Sequence, residues 1–388
     1  MATRRQVYLD HAATTPVHPV VLQEMLKVLE MHFGNPSSLH FYGRAAGQHL
    51  EVARQRVANL LGAGQQDVVF TSGGTEADNL AIMGTVFALK EKGRHIITST
   101  IEHHAVLDTC HVLAQNGFEV TFLPVDSDGV VDPDDVKKAI RQDTILITIM
   151  HANNEIGTIE PVPEIGRIAR EHNIIFHTDA VQTAGYLSIN VDDLFVDLLS
   201  ISAHKIYGPK GAGALYIREG VQLEPLFHGG GQERSYRPGT ENLPGIVGLG
   251  KAAEIAAREH LTESKRYKKL SGQLMRGIKE RIPEAKINGH PDKRLPHNVN
   301  VSFCGIKGEC LLVGLDQMGI AVSTGSACSS GSSQISHVLE AIGLSQEQGE
   351  GTIRMTVGRS TTTDDIDYVL DVLADVVERL RNNNRANR

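Results

Sequence analysis

The sequence predicts an α/β fold built on a mainly parallel, doubly wound sheet. Over the first two thirds of the 388 residues, short runs rich in Val, Ile, Phe and Thr alternate with segments of helical spacing. Several of the short runs are almost continuously apolar, which is typical of strands covered on both faces. Strand–helix alternation of this kind favours a parallel sheet with helices on both sides.

The predicted strands and helices follow one another in regular order. The predicted strands are Asp67–Thr71, His95–Thr100, Glu119–Val125, Thr144–Met150, Ile174–Asp179, Leu198–Ser202 and Ala214–Ile217. The predicted helices between them are Glu76–Lys90, Ala105–Asn116, Asp134–Arg141 and Glu164–His172. Ligands of such sheets bind at the carboxyl ends of the strands, so the polar residues that follow these runs are candidate site residues.

The pattern changes near residue 250, where two long amphipathic stretches replace the alternation. The first runs from Ala252 to Ile282 with the spacing of one helix face. The second begins at Thr363 and has acidic residues in its first turn, where the helix dipole favours them. We therefore expect a large domain up to about residue 250 and a smaller C-terminal domain.

Composition and charge exclude several classes of protein. Hydrophobic residues make up 41% and charged residues 22%, which argues against a disordered chain or a coiled coil. The net charge of −8 offers no electrostatic footprint for nucleic acid. We find no apolar run that predicts a membrane span or a signal peptide, and we expect a cytoplasmic protein. The four cysteines are too scattered for a disulfide framework.

Polar residues follow several of the predicted strands. Thr71–Glu76 is a Gly-rich turn that opens a helix, where free N–H groups favour a phosphate, although an ordinary capped turn has the same pattern. Glu102 and His103 follow the second strand, and Asn153–Glu155 follows the fourth. Asp179 ends the fifth strand, where a buried carboxylate needs a cation or donors, whether in a ligand site, a helix cap or a structural ion pair.

Lys205 lies in the segment Ser202–Gly211, directly after the sixth strand and one strand–helix–strand step beyond Asp179. A lysine among apolar neighbours can lose its proton and attack an aldehyde, whereas most lysines are solvated surface residues. A lysine, a carboxylate and a phosphate-binding turn are together what pyridoxal 5′-phosphate (PLP) requires. The pattern therefore indicates a PLP site at the carboxyl end of the sheet.

Short segments along nearly the whole chain are similar, in order and spacing, to the motifs of one family. They are Tyr8–Pro16, Phe33–Ser37, Thr71–Glu76, Glu102-His103, Asn153–Gly157, Asp179–Gln182, Ser202–Lys205, Gly229–Glu233, Gly239-Thr240 and Ser323–Cys328. Through them the chain resembles a cysteine desulfurase of the iron–sulfur-cluster and nitrogen-fixation type, in its long-loop group. The resemblance implies the PLP-dependent transferase fold type I, with a large PLP-binding domain at residues 16–250 and a small α+β domain at 1–15 and 251–388.

The same resemblance implies a role for each residue around the cofactor. Lys205 would bind PLP covalently and then act as the base on the substrate Cα. Asp179 would pair with the pyridine nitrogen, His103 would stack on the ring and move protons, and Gln182 would bond the phenolate oxygen. Four residues would hold the phosphate, namely Gly74, Thr75, Ser202 and His204.

Further residues would bind the substrate and complete the site. Asn154 would lie near the ring and the substrate, and Arg354 would bind the substrate carboxylate as a bidentate partner. Thr240 would reach the phosphate of the neighbouring subunit, which implies a homodimer. Cys328 would be the nucleophile toward sulfur. Its small-residue surroundings, Thr324–Ser333, predict a mobile, exposed loop, in which an incidental cysteine is the alternative interpretation.

The activity that the resemblance implies is removal of sulfur from L-cysteine, giving L-alanine and a persulfide on Cys328. The persulfide would pass to an acceptor protein for iron–sulfur cluster assembly or for thiolation of tRNA or cofactors. Ser332–Ser336 departs from the usual pattern, and the chain ends at Arg388 without the longer tail that some relatives use to dock a scaffold protein. Whether it docks such a scaffold is therefore left open.

Two other functions fit parts of the same pattern. Another PLP enzyme of the same fold, such as a selenocysteine lyase or a class V aminotransferase, would not need a thiol in a mobile loop. A catalytically idle scaffold for cluster assembly would need no lysine-bound cofactor. A dinucleotide-binding protein is disfavoured, because no G-x-G-x-x-G follows the first predicted strand.

Overall fold

Strands and helices alternate through the first part of the chain in the computed structural model, which describes residues 5–325 and 335–386. The strands in these ranges are β1 (Val7–Tyr8), β2 (Val68–Thr71), β3 (His95–Ser99), β4 (Glu119–Leu123), β5 (Thr144–Thr148), β6 (Ile175–Asp179), β7 (Leu198–Ser202), β8 (Gly213–Ile217), β9 (Ala285–Asn288), β10 (Asn298–Phe303), β11 (Ile320–Ala321) and β12 (Thr352–Thr356). The helices are α1 (Pro19–Met31), α2 (Phe41–Leu61), α3 (Gly74–Leu89), α4 (His104–Gln115), α5 (Pro133–Ala139), α6 (Val162–Glu171), α7 (Leu243–Arg281), α8 (Gly308–Gln317), α9 (His337–Ala341), α10 (Gln346–Glu350) and α11 (Thr363–Ala386).

The large sheet has seven strands in the order β2-β8-β7-β6-β5-β3-β4. Strand β8 runs antiparallel to both of its neighbours, and all other neighbouring pairs are parallel. The carboxyl ends of β2, β3, β5, β6 and β7 therefore open on one edge of the sheet. This mixed but mainly parallel α/β sheet confirms the predicted fold class.

Both faces of the large sheet are covered, as the continuous apolar runs predict. Leu199 packs in one core cluster together with residues of α1, α2 and the first part of α7. Its neighbour Leu198 points to the other face and packs with residues of α3. Because successive strand residues face opposite sides, a strand buried on both faces must be apolar at nearly every position.

A separate core cluster joins the two ends of the chain. Val7 and Leu9 pack there with the C-terminal half of α7, with β10 and β12, and with α11. Helix α7 contributes Leu249 to the core of the large sheet and Leu274 to this second core. The domain limits 16–250, 1–15 and 251–388 remain a prediction. None of the helices within residues 5–325 and 335–386 combines the length and apolar character of a membrane span.

Helices α2 and α7 approach each other closely at Gly250. A Cβ atom at Gly250 would lie 2.5 Å from the Cα of Ala53 on α2, which is backbone and has no room to move. We expect Gly250→Ala to separate the helices and lower the free energy of unfolding by about 1–3 kcal/mol. Urea unfolding monitored by circular dichroism measures this change.

The matched control is Gly272→Ala on the same helix. A Cβ atom at Gly272 would meet only the flexible end of the Arg276 side chain, at 3.3 Å. Alanine is the better helix former there and is expected to raise the free energy of unfolding by roughly 0.5–1 kcal/mol. Equal effects of the two substitutions would contradict the close packing of α2 against α7.

Candidate active site

One cavity at the carboxyl end of the large sheet collects most of the predicted site residues. Its volume is ≈ 200 Å³. The predicted residues that line it are Gly74, Thr75, His103, Asn154, Asp179, Gln182, Ser202, His204, Lys205 and Arg354. They come from widely separated parts of the chain, and the parallel strands bring them together.

Lys205 ends a short 3₁₀ turn, Ala203–Lys205, that follows directly after β7. Its amine donates hydrogen bonds to the backbone oxygens of Ala12 and Ala13, the latter at 2.9 Å. The Tyr186 hydroxyl donates to the Lys205 carbonyl oxygen at 3.1 Å. These contacts hold the amine at the cavity wall, within reach of a bound aldehyde.

The turn after β2 leads into α3, whose first residue is Gly74. The N-terminus of α3 has no side-chain cap, so its backbone N–H groups are available to an anion. A Cβ atom at Gly74 would lie 2.7 Å from a methyl group of Val181 and 3.7 Å from the Ser202 Cβ. Glycine is therefore required where this turn packs against the ends of β6 and β7.

The Asp179 carboxyl lies at the end of β6 and is only 6% exposed. Burial raises its pKa to about 6, although the Val181 N–H, which donates to Oδ1 at 2.8 Å, and Lys205 both act to lower it. Beside it, Gln182 donates to the Ala12 oxygen at 3.0 Å. A cation placed against Asp179 would favour the ionised carboxylate and stay buried with it.

His103 caps helix α4, and its Nδ1 accepts a hydrogen bond from the Ala105 N–H at 3.1 Å. Burial, with Lys205 next in importance, lowers the pKa of His103 to about 4, so the ring is neutral at pH 7. Because Nδ1 is the acceptor, the proton of the neutral ring belongs on Nε2. His103 therefore offers its Nε2–H as a donor to a ligand. It can accept a proton at Nδ1 only if the hydrogen bond from the Ala105 N–H is broken.

Arg354 lies on β12, belongs to the far side of the cavity and is 2% exposed. Its guanidinium donates to the Asn154 carbonyl oxygen at 2.8 Å and to an Asp10 carboxylate oxygen at 3.1 Å. Its Nε has no hydrogen-bond partner among the described residues and is buried. The group can thus accept a carboxylate ligand, while Asn154 and Asp10 fix its orientation.

One predicted site residue that the structure describes, Thr240, does not line the cavity. Thr240 is exposed, just before the start of α7, and the structure of one chain does not bring it to Lys205. Cys328 lies outside the described residues. Among the other cysteines, Cys110 is buried, and Cys310 is exposed on α8.

The sequence analysis did not select Asp78 or Asp10 and gave Glu102 no role. Asp78 lines the cavity one helical turn after Gly74, and that spacing could have indicated it. Glu102 is buried, and its Oε1 accepts from the Ser99 hydroxyl at 2.6 Å and from the Met150 N–H at 3.0 Å. Asp10 gave no such signal, because its partner Arg354 is distant in sequence.

A family model and individual relatives of known name all point to the same family. The family model described as Aminotransferase class-V matches residues 7–369. A protein named cysteine desulfurase IscS from Dictyoglomus turgidum is 55% identical over 378 residues, which cover 97% of this chain and 96% of that protein. A protein of the same name from Methanosarcina thermophila is 53% identical and matches 97% of this chain and 93% of that protein.

Solved structures agree with this comparison. A structure titled NifS-like protein superposes with a TM-score of 0.91 at 40% identity and covers 97% of this chain and 100% of that chain. A structure titled SspA in complex with cysteine has a TM-score of 0.81 at 41% identity and covers 91% of this chain and 99% of that chain.

The buried Glu102 makes the stability of the protein depend on pH. Burial raises the pKa of Glu102 from 4.5 to about 8. Between these values the unfolded chain has released a proton that the folded protein keeps, so stability contributed by this group falls as pH rises. We expect the free energy of unfolding of Glu102→Gln to rise relative to that of the wild type as the pH increases from about 4.5 to about 8.

Urea unfolding at a series of pH values, with the ligand state held constant, measures this difference. The same substitution at the exposed Glu91 is the matched control. A constant difference between Glu102→Gln and the wild type across this range would show that Glu102 is ionised in the folded protein.

Proposed function

Because the chain belongs to the class V aminotransferase family and, within it, to the cysteine desulfurases, we propose that it removes sulfur from L-cysteine with PLP as cofactor. The products are L-alanine and a persulfide on Cys328. The observation that carries this proposal is the cavity at the sheet edge, where Lys205, Asp179 and Arg354 line one space of ≈ 200 Å³.

The residues of the cavity fit the cofactor in charge and in shape. The uncapped N-terminus of α3, which requires glycine at Gly74, suits an anionic phosphate, with Thr75, Ser202 and His204 on the same wall. Asp179 suits a protonated ring nitrogen, because a buried carboxyl gains from an adjacent cation. When bound, PLP supplies an electron sink for the bond that breaks at the substrate Cα.

The polar side chains of the cavity have separate roles in orienting the ligand and in transferring protons. Lys205 would hold the cofactor through its amine, and the same amine would take the proton from the substrate Cα. Gln182 donates one amide hydrogen to Ala12, which leaves the other for the phenolate oxygen of the ring. His103 presents its Nε2–H to the ring, as its cap hydrogen bond dictates.

Arg354 orients the substrate through its carboxylate. Asp10 and Asn154 hold two of its nitrogens, so the guanidinium is fixed before the substrate arrives. Asn154, which also lines the cavity, would contact the substrate there. Binding through the carboxylate would leave the substrate sulfur free to react with the Cys328 thiol.

The proposed reaction moves one sulfur atom from the thiol of L-cysteine to the thiol of Cys328, and no atom is gained or lost. The Cys328 thiolate attacks the substrate sulfur, the carbon–sulfur bond breaks and an S–S bond forms on Cys328. The substrate carbon gains a proton and leaves as alanine. The persulfide is then open to the thiol of an acceptor protein. A cytoplasmic location and the identity of that acceptor as a cluster scaffold or a thiolation enzyme remain predictions.

Replacement of Cys328 tests the proposal. We expect Cys328→Ala to abolish sulfur release from L-cysteine, while the absorbance band of the lysine-bound cofactor is kept. In the wild type, incubation with PLP and L-cysteine adds one sulfur atom to the Cys328 peptide, which mass spectrometry detects and thiol reductants remove. Cys310→Ala is the matched control, since Cys310 is exposed but lies on α8.

Two other outcomes would identify the alternative functions. Turnover of an amino acid by Cys328→Ala at the wild-type rate would indicate an aminotransferase or a lyase without a thiol nucleophile. A protein that has no cofactor band with added PLP, or none that borohydride bleaches, would instead be a scaffold without catalytic activity.

We also propose that the protein acts as a homodimer with Thr240 completing the neighbouring site. An unusual number of large apolar side chains is exposed on α1, on the start of α2 and on the segment between them. They include Leu22, Leu26, Leu29, Phe33, Leu39 and Phe41, of which Leu39 is 90% exposed. A second copy of the chain is the occupant that would both cover this apolar surface and bring Thr240 to a phosphate.

Mixed dimers test the shared site. Lys205→Ala and Thr240→Val homodimers are each expected to be impaired, the first completely. In a mixed dimer, one of the two sites has both wild-type residues, so about half of the wild-type activity returns. Refolding the two variants together and assaying the isolated mixed dimer measures this recovery. If the activity of the mixed dimer does not exceed the activity expected from the two parent homodimers, Thr240 acts in the site of its own subunit.

A further inference from the structure

Asp78 is a buried carboxyl of the cavity that the proposed mechanism does not use. It lies on α3, one turn after Gly74, and is 1% exposed. It lines the same cavity as Asp179 and Lys205. Its Oδ1 is buried and accepts no hydrogen bond from any described residue. A second carboxyl this close to the cofactor site calls for a physical explanation.

A chain of three buried side chains leads away from Asp78 across neighbouring strands. Asp78 contacts the Ser200 hydroxyl on β7, and its Oδ1 lies 3.6 Å from Nε2 of His177 on β6. His177 Nε2 is 3.0 Å from the Ser200 oxygen, and its Nδ1 is 2.8 Å from the hydroxyl oxygen of Thr148 on β5. Ser200, His177 and Thr148 are fully buried.

This chain of hydrogen bonds can run in either direction, depending on the proton of Asp78. If Asp78 is ionised, Ser200 donates to it, His177 donates from Nε2 and Thr148 donates to Nδ1. If Asp78 is protonated, it donates to Ser200, Ser200 donates to Nε2 and His177 donates from Nδ1 to Thr148. Burial lowers the pKa of His177 to about 3, so the ring is neutral in both cases and cannot balance a charge on Asp78.

The charges around Asp78 favour the protonated form. Burial raises the pKa of Asp78 well above 3.8, and Asp179 raises it further, with Glu102 acting in the same direction and the Ser200 contact opposing them. Two cationic residues line the cavity: Lys205 lowers the pKa of Asp179, and Arg354 is paired with Asp10. When two buried carboxyls line one cavity and the nearby cation favours ionisation of Asp179, the second carboxyl, Asp78, is favoured in its protonated form.

We propose that Asp78 is a positioning residue that stays protonated in the working enzyme and donates its proton into the Ser200–His177–Thr148 chain. This inference rests on the proposed function, because it assigns Asp78 a task at the PLP site. Asp179 is then the one carboxylate that faces the ring nitrogen. The protonated Asp78 adds no negative charge beside the phosphate, which binds one helical turn away at Gly74. Ser200, His177 and Thr148 can each take the hydrogen-bond orientation that this state requires.

Infrared difference spectroscopy of the holoenzyme shows directly whether the Asp78 carboxyl is protonated. The difference between the wild type and Asp78→Asn is expected to show the loss of a carboxylic acid C=O band. The matched comparison, Asp179→Asn, is expected to lose a carboxylate band instead. Loss of a carboxylate band in Asp78→Asn would overturn the inference.

Ser200→Ala tests the hydrogen-bond chain and needs no change at Asp78. Removing the hydroxyl that accepts from Asp78 is expected to move the acid band to higher frequency. An unchanged band would show that Asp78 does not donate to Ser200, even if Asp78→Asn fails to fold.

A pH titration of the lysine-bound cofactor band gives an independent readout. Asp78→Asn is expected to keep the wild-type midpoint, because a neutral acid is replaced by a neutral amide. If Asp78 were ionised, its loss would lower the midpoint by about one unit or more, as expected for removing an opposite charge near a cation. Failure of the proposed function would appear separately, as the absence of sulfur on Cys328.

Discussion

Desolvation at the carboxyl ends of the parallel strands determines the chemistry of this site. The strands place ionisable side chains in a crevice where they are partly or fully buried, and burial is the largest cause of the pKa shifts of Asp179, Glu102, His103 and His204. Each shift favours the neutral form of the group. A cavity of mostly neutral groups around Lys205 can therefore bind a cofactor that brings its own cation and anion, because each ligand charge meets one protein partner and little repulsion.

A buried ion pair fixes the segment that would reach the neighbouring subunit. Three consecutive non-glycine residues, Glu233 to Ser235, have φ values of 44°, 55° and 66°, a left-handed turn that costs on the order of 1–3 kcal/mol per residue. Arg54 offsets that cost, since two of its nitrogens donate to the two Glu233 oxygens at 2.7 Å, and the pair is almost fully buried. The turn leads to Arg237, which donates to Glu76 in the first turn of α3, the helix whose N-terminus is proposed to bind the phosphate, at 2.9 Å. The segment before α7 is thus held against the start of α3 in its own subunit.

The sequence predicts the sheet well because strands buried on both faces must be apolar throughout, and β7 has the predicted bounds. It predicts the cavity from the residues that follow strands, since topology brings strand ends together. It could not predict Asp10 as the partner of Arg354, or Asp78 as a neighbour of Asp179, because those contacts depend on how helices and strands distant in sequence pack. It also could not predict that His103 uses Nδ1 as a helix cap, which assigns its proton to Nε2.

The contact between Ser323 and Arg354 connects substrate binding to the chain segment that carries Cys328. The two residues exchange backbone hydrogen bonds, with Ser323 donating at 3.1 Å and Arg354 donating at 2.6 Å. The guanidinium of Arg354 is held by Asn154 and Asp10, so the chain is anchored at Ser323 by the same residue that we propose binds the substrate carboxylate. Cys328 is five residues further along the sequence, a tether of at most about 18 Å. The proposed attack of the Cys328 thiol on a substrate bound by Arg354 therefore has to take place within that distance of Ser323, which is itself hydrogen-bonded to Arg354.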